Sequence, residues 1–155
     1  MNEYQLRGTR VPPMKEDKIK GIALVIAGTF DFSKRKRLKT ENGFERLSEY
    51  GITLSVIPDK DWLDLTQGHF DPSTMTISVP EKIYINACDG DWDALFVMFH
   101  ELGHLFLGHK ALMHHAKELP TMSEDSEWQA DLFASAIIEH MGFVETRQMS
   151  FNFYK

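Results

Sequence analysis

Cysteine is nearly absent from this sequence. Cys88 stands alone among 155 residues, which excludes an intrachain disulfide framework and any four-cysteine metal site. An excess of positive charge is missing too: 17 Lys and Arg face 23 Asp and Glu, a formal net charge of −6. A protein dedicated to binding nucleic acid directly would carry the opposite balance. No run reaches the roughly 18–20 apolar residues of a membrane-crossing helix. The nearest is 22–30, where Glu16 and Asp17 spoil the positive leader of a signal peptide and no small-residue cleavage site follows. That stretch is expected to be a buried first helix, and the chain cytoplasmic with no membrane partner. Internal repeats, low-complexity tracts and composition breaks are also missing. One domain over 1–155 is expected, with 1–13 as an untethered lead-in and 146–155 as a tail whose Phe151, Phe153 and Tyr154 dock on the body.

The periodicity changes twice along the chain. Residues 14–30 repeat apolar positions at Ile19, Ile22, Ala23, Ile26 and Phe30, the rhythm of a helix that Pro12 and Pro13 are placed to open. The basic run 34–37 reads as a solvated connection, and 40–50 as a second helix closed by Gly51. Alternation then predicts strands over 52–57, 74–79 and 83–87, with a turn at Asp71, Pro72 and Ser73. From Asp91, which can cap, a helix apolar on all sides over 94–99 should run to Leu107 and stop at Gly108. Thr121 and Glu124 form a capping-box pair for a last helix reaching Met141.

Histidine is plentiful, with seven copies. Two of them fall in His100-Glu101-Leu102-Gly103-His104, inside the helix predicted to be most buried. Histidines four apart lie one turn apart on one helix face, so both imidazoles can reach one cation, while Glu101 is rotated by about 100° and flanks it without ligating. A zinc site of this kind needs a third protein ligand and an open fourth position. Glu127 and Asp131 share a face of the last helix, with Ala130 and Ala134 small enough for close packing on the histidine helix. Glu127 is the candidate third ligand; Asp131 is the candidate acceptor for the free N–H of a ligand histidine. His109 lacks the surrounding glycine and histidine of a longer three-histidine motif, so it is not expected to ligate. His114 and His115 read as solvated and His140 as a helix-end residue. His69, in a loop before the sheet, is a candidate to stabilise an oxyanion, and Cys88 lacks the neighbours of a catalytic thiol.

His100 to His104 on a buried helix, followed by the E-x-x-A-D-x-F-A pattern from Glu127 to Ala134, resembles the ImmA/IrrE metallopeptidase family, a gluzincin-like group of bacterial and phage proteins. The likeness spans most of the chain. It implies an α+β, zincin-like domain with a small mixed sheet packed on an HExxH active-site helix and a C-terminal ligand-bearing helix. It also implies one zinc per chain held by His100, His104 and Glu127, with Glu101 as general base. The family more often has Asn at the position of Asp131, whose role follows the wider ExxxD gluzincin pattern. The expected activity is cleavage of an intracellular regulatory protein, a helix-turn-helix transcriptional repressor of a phage or mobile element. A peptide substrate is expected to lie extended along a strand edge, at 75–79 or 83–87. The alternative is a metal-containing antirepressor that sequesters its partner without cutting it. An intact Glu101 speaks against that, because a structural site has no need of a base.

Overall fold

In the computed structural model, which describes residues 3–63, 66–110 and 118–143, the first helix α1 spans Glu16–Phe30. It buries Ile19, Ala23, Ala27 and Phe30, the stripe its periodicity predicts. A short helix α2, Glu41–Glu45, tightens into a 3₁₀ turn over Arg46–Tyr50 and ends at Gly51, whose φ of 77° suits glycine. Phe30, Phe32, Phe44, Phe99 and Phe133 are fully buried and form the aromatic heart of the core. Phe32 meets Phe44 and Phe99 with ring centroids 5.0 and 4.9 Å apart.

Three strands follow: β1 (Thr53–Ile57), β2 (His69–Asp71) and β3 (Thr76–Pro80). They form one mixed sheet in the order β1-β3-β2. β1 runs parallel to β3 with Thr53 opposite Thr76, and β2 runs antiparallel to β3 with His69 opposite Ser78. The alternation over 74–79 reports real burial, since Ile77 and Val79 are fully enclosed. The loop expected around His69 is instead the sheet's third strand.

The expected strand at 83–87 is a helix, α3 (Glu81–Cys88). Pro80 stands at its N-terminal boundary and Glu81 in its first turn, a start that its alternating isoleucines obscure. Ala87 is buried, Ile83, Tyr84 and Cys88 pack beside it, and Ile85 points out at 52% exposure. That is a helical face rather than a strand face. The candidate substrate edges are corrected accordingly: 83–87 is helical, and 75–79 falls mostly in the central strand, whose two sides are both paired.

Helix α4 (Trp92–Phe106) begins where expected, with the Asp91 carboxylate accepting the Ala94 N–H at 2.9 Å. It buries Leu95, Met98, Phe99 and Leu102. The pair Thr121 and Glu124 does form a capping box, but it closes a 3₁₀ turn over Met122–Glu124. Helix α5 starts later, at Ser126–His140, with Asp125 as its cap. The two helices touch most closely at Gly103: a Cβ there would lie 3.2 Å from Ala130 Cα and 3.2 Å from Phe133 Cβ. Small residues on both sides thus let α5 bring its first turn to the histidines of α4.

The described part of the lead-in is tied down. Arg10 forms an isolated bridge with Asp125, Val11 N–H donates to Glu124 O at 2.8 Å, Ser126 N–H donates to Thr9 O, and Thr9 N–H donates to the Ser126 hydroxyl. Val11 is 1% exposed. The expected docking of Phe151, Phe153 and Tyr154, and the surroundings of His114 and His115, lie outside the described residues. Among the described residues no helix is long and apolar enough to cross a membrane.

Candidate metal centre

His100 and His104 project from successive turns of α4 toward the first turn of α5. The helix dipole of α5 favours a carboxylate in its first turn, and Glu127 stands there. The three side chains converge. His100 Nε2 lies 3.2 Å from Glu127 Oε1, His104 Nε2 lies 2.8 Å from Glu127 Oε2, and the two Nε2 atoms are 3.1 Å apart. Ligands bound at about 2.0–2.1 Å around a tetrahedral cation stand about 3.3–3.4 Å from one another. Nitrogen, nitrogen and carboxylate oxygen at such separations fit a small divalent cation, and these residues form a group able to hold one.

The outer partners are ordered. His100 Nδ1 donates to Asp131 Oδ1 at 2.8 Å, and Arg7 donates to Asp131 Oδ2 at 2.8 Å. Burial works against a charged His100 ring, but hydrogen bonds to Asp131 and Glu127 outweigh it and push the ring up to about 10. Hydrogen bonds from His100 and His104 hold the Glu127 carboxyl well below the usual carboxylate range. Glu101 does not join the cluster. It is 8% exposed and borders the same cleft, and burial raises its pKa while the two histidines oppose the rise.

That cleft has a volume of about 450 Å³. One wall is β2 and the residues before it: His69 lines the cleft, and a Cβ on Gly68 would come within 3.1 Å of Glu101 Cγ. Another wall is Gly8 and Thr9 of the N-terminal segment. A Cβ on Gly8 would lie 2.6 Å from Glu127 Cγ, so only glycine lets this segment approach so closely. Cys88 is no part of the site. Burial pushes its thiol up, with a hydrogen bond from Tyr84 only partly opposing, the reverse of an activated nucleophile.

Sequence reasoning brought His100, Glu101, His104, Glu127 and Asp131 to one place, and the structure has them together. It missed Arg7, Gly8, Gly68 and the way His109 folds back. Gly108 at φ 68° turns the chain after α4, so His109 is 8% exposed with its Nδ1 at 2.8 Å from His104 Nδ1. Burial lowers the His109 pKa to about 4, with Gln129 opposing through a hydrogen bond. A glycine just past the histidine helix, followed at once by another histidine, was the available signal.

The Asp125 cap holds this assembly at its base. Its buried carboxylate accepts from Arg7 N at 2.9 Å, Gly8 N at 3.1 Å, Glu127 N at 3.0 Å and the Tyr4 hydroxyl. Asp125→Ala is expected to cost about 2–4 kcal/mol of stability, because several donors lose their acceptor together. Burial alone would raise the Asp125 pKa, but those hydrogen bonds outweigh it and hold the carboxyl below its usual range. Its contribution is therefore complete above the ordinary Asp pKa of about 3.9 and is lost as pH falls through the depressed folded value. Urea unfolding at pH 7 and at progressively lower pH should show the parent and Asp125→Ala curves converging in acid.

A mixed sheet against a helix carrying two histidines, with a carboxylate from the next helix facing them, defines a zincin-like α+β domain. The family model described as the IrrE N-terminal-like domain, a peptidase family, matches residues 48–138, and the chain belongs to that family. Neither the curated proteins nor the solved structures give a match to this chain.

Proposed function

We propose that this chain is a zinc-dependent endopeptidase, with one zinc per chain held by His100, His104 and Glu127 and with Glu101 as general base. The observation that carries the reading is the convergence of those three donors within about 3 Å of one another beside a buried, non-ligating carboxyl. Zinc bound there would polarise a peptide carbonyl as a Lewis acid and lower the pKa of water toward neutrality. Glu101 takes the proton of the attacking water and passes it to the leaving amine. Its enclosed position raises its affinity for that proton, which suits a group that must both accept and return it. Asp131 fixes the His100 ring, and Arg7 in turn holds Asp131.

The substrate lies extended along β2. Among the described residues this strand pairs only with β3, and it borders the cleft, which supports a further strand adding on its other side. His69 would donate to an oxyanion there, a role supported by its position on that strand and in the lining of the cleft. The protein cut is an intracellular regulator, a helix-turn-helix repressor of a phage or mobile element. Membership of a peptidase family supports a protein substrate, and the net charge of −6 suits encounter with a basic DNA-binding partner. The small cleft favours one or a few bonds over general digestion, so casein should be cut poorly.

The test incubates the zinc-loaded chain, and separately its Glu101→Gln variant, with helix-turn-helix repressors encoded beside it, following fragments by mass spectrometry. Discrete fragments from the parent, absent with the variant or after chelation, support the reading. A repressor that binds both proteins tightly and stays whole makes the chain a sequestering antirepressor instead.

A further inference from the structure

We propose that His109 and Gln129 are positioning residues of the metal centre: Gln129 keeps the His109 proton on Nε2, so that His109 Nδ1 accepts the Nδ1–H of His104 and leaves His104 Nε2 bare toward the cation. This rests on the reading of His100, His104 and Glu127 as metal ligands. The relay starts at the buried amide of Gln129. Gln129 is 1% exposed, and its amide nitrogen lies 2.9 Å from Pro12 O and 2.8 Å from Ser123 O. Both partners are carbonyls, which only accept, so that end of the amide must be the NH₂. Its oxygen therefore faces His109 Nε2, at 2.7 Å, and an amide oxygen only accepts. His109 Nε2 carries a hydrogen.

Ligation through Nε2 leaves the His104 hydrogen on Nδ1, so in the 2.8 Å contact between the two Nδ1 atoms His109 is the acceptor. The hydrogen in that contact belongs to His104. A hydrogen on His109 Nδ1 would make His104 Nδ1 the acceptor and leave the His104 hydrogen on Nε2, the atom that ligation needs bare. The two ligand histidines are thus oriented by different means. A carboxylate, Asp131, serves His100; a buried histidine, itself held by an amide, serves His104. The relay ends on Pro12, in the N-terminal segment and outside the matched residues 48–138.

The test uses the full chain loaded with zinc and labelled with ¹⁵N-histidine. Long-range ¹H–¹⁵N spectra should show His104 protonated at Nδ1, His109 protonated at Nε2, and a coupling across the hydrogen bond between the two Nδ1 atoms. His109→Leu and His109→Asn are then compared for zinc affinity by competition with a chelator. The two side chains have the same number of heavy atoms and the same branching at Cγ, and only asparagine places an acceptor where Nδ1 stood. His109→Leu should lose about 10–100-fold in affinity, and His109→Asn should recover most of it. A proton found on His109 Nδ1, or equal affinities for the two variants, overturns the proposal. The spectra of the parent decide the matter even where a variant fails to fold. A parent chain that takes up no zinc overturns the ligand assignment itself, which is a separate failure.

Discussion

Glu101→Gln is expected to leave the chain folded and zinc-loaded while lowering peptide hydrolysis by about 10²–10⁴-fold. The substitution keeps the side chain's shape, and shape matters here, because a Cβ on Gly68 would already press to within 3.1 Å of Glu101 Cγ. Glu101 lies apart from the trio of donors formed by His100, His104 and Glu127, so the amide leaves those donors in place. What it removes is the capacity to accept a proton. The buried carboxyl binds a proton more readily than an exposed one, and the neutral amide cannot do so at all. Metal content by elemental analysis and kcat on a cleaved repressor peptide check both halves. Turnover at the parental rate with zinc present removes Glu101 from the mechanism. Loss of zinc would instead place Glu101 among the ligands.

The parts of this molecule that were legible in the sequence are those whose cause is local. The α4 helix announced itself through Asp91, the apolar run 94–99 and Gly108, all within one short window. His100 and His104 are related by helix geometry alone, so their meeting follows from that assignment. Glu127 and Asp131 were reachable by the same logic plus one guess, that Ala130 marks a close helix crossing. Gly103 against Ala130 bears that guess out.

What escaped was decided across long stretches of chain. The three-residue strand β2 has no alternation of its own and exists because Phe70 pairs with Ile77. The isoleucines of α3 alternate as a strand would, and only Ile85 facing outward while Ala87 is buried reveals the helix. Arg7 reaches Asp131 across 124 positions, and Asp125 gathers Tyr4, Arg7 and Gly8 across nearly as many. No window-based reading sees such pairs. The lead-in that looked untethered is consequently a wall of the cleft.

Zinc is expected to stabilise the chain in a way that depends on His104. Only the folded chain brings donors from α4 and α5 together, so binding adds to folding stability. At free zinc about a hundred times Kd the gain is about 2.7 kcal/mol. For a chain of this size that raises Tm by roughly 5–11 °C. His104→Ala removes one of the two proposed ligands that α4 supplies and leaves only His100 and Glu127 of the three grouped donors. Its Tm should not move with zinc. Asp131→Ala is the informative contrast, because Asp131 contacts His100 and is not one of the three grouped donors. A loss of about 10–100-fold in affinity is expected there. At the same free zinc that variant should keep about 0.4–1.4 kcal/mol of the stabilisation. Calorimetric scans of the three proteins with and without zinc, at fixed free metal, therefore predict a graded series. Equal zinc-dependent shifts in all three would place the ion elsewhere in the molecule. A full shift in Asp131→Ala alone would leave His100 needing no partner at Nδ1, and the role of Arg7 would fall with it.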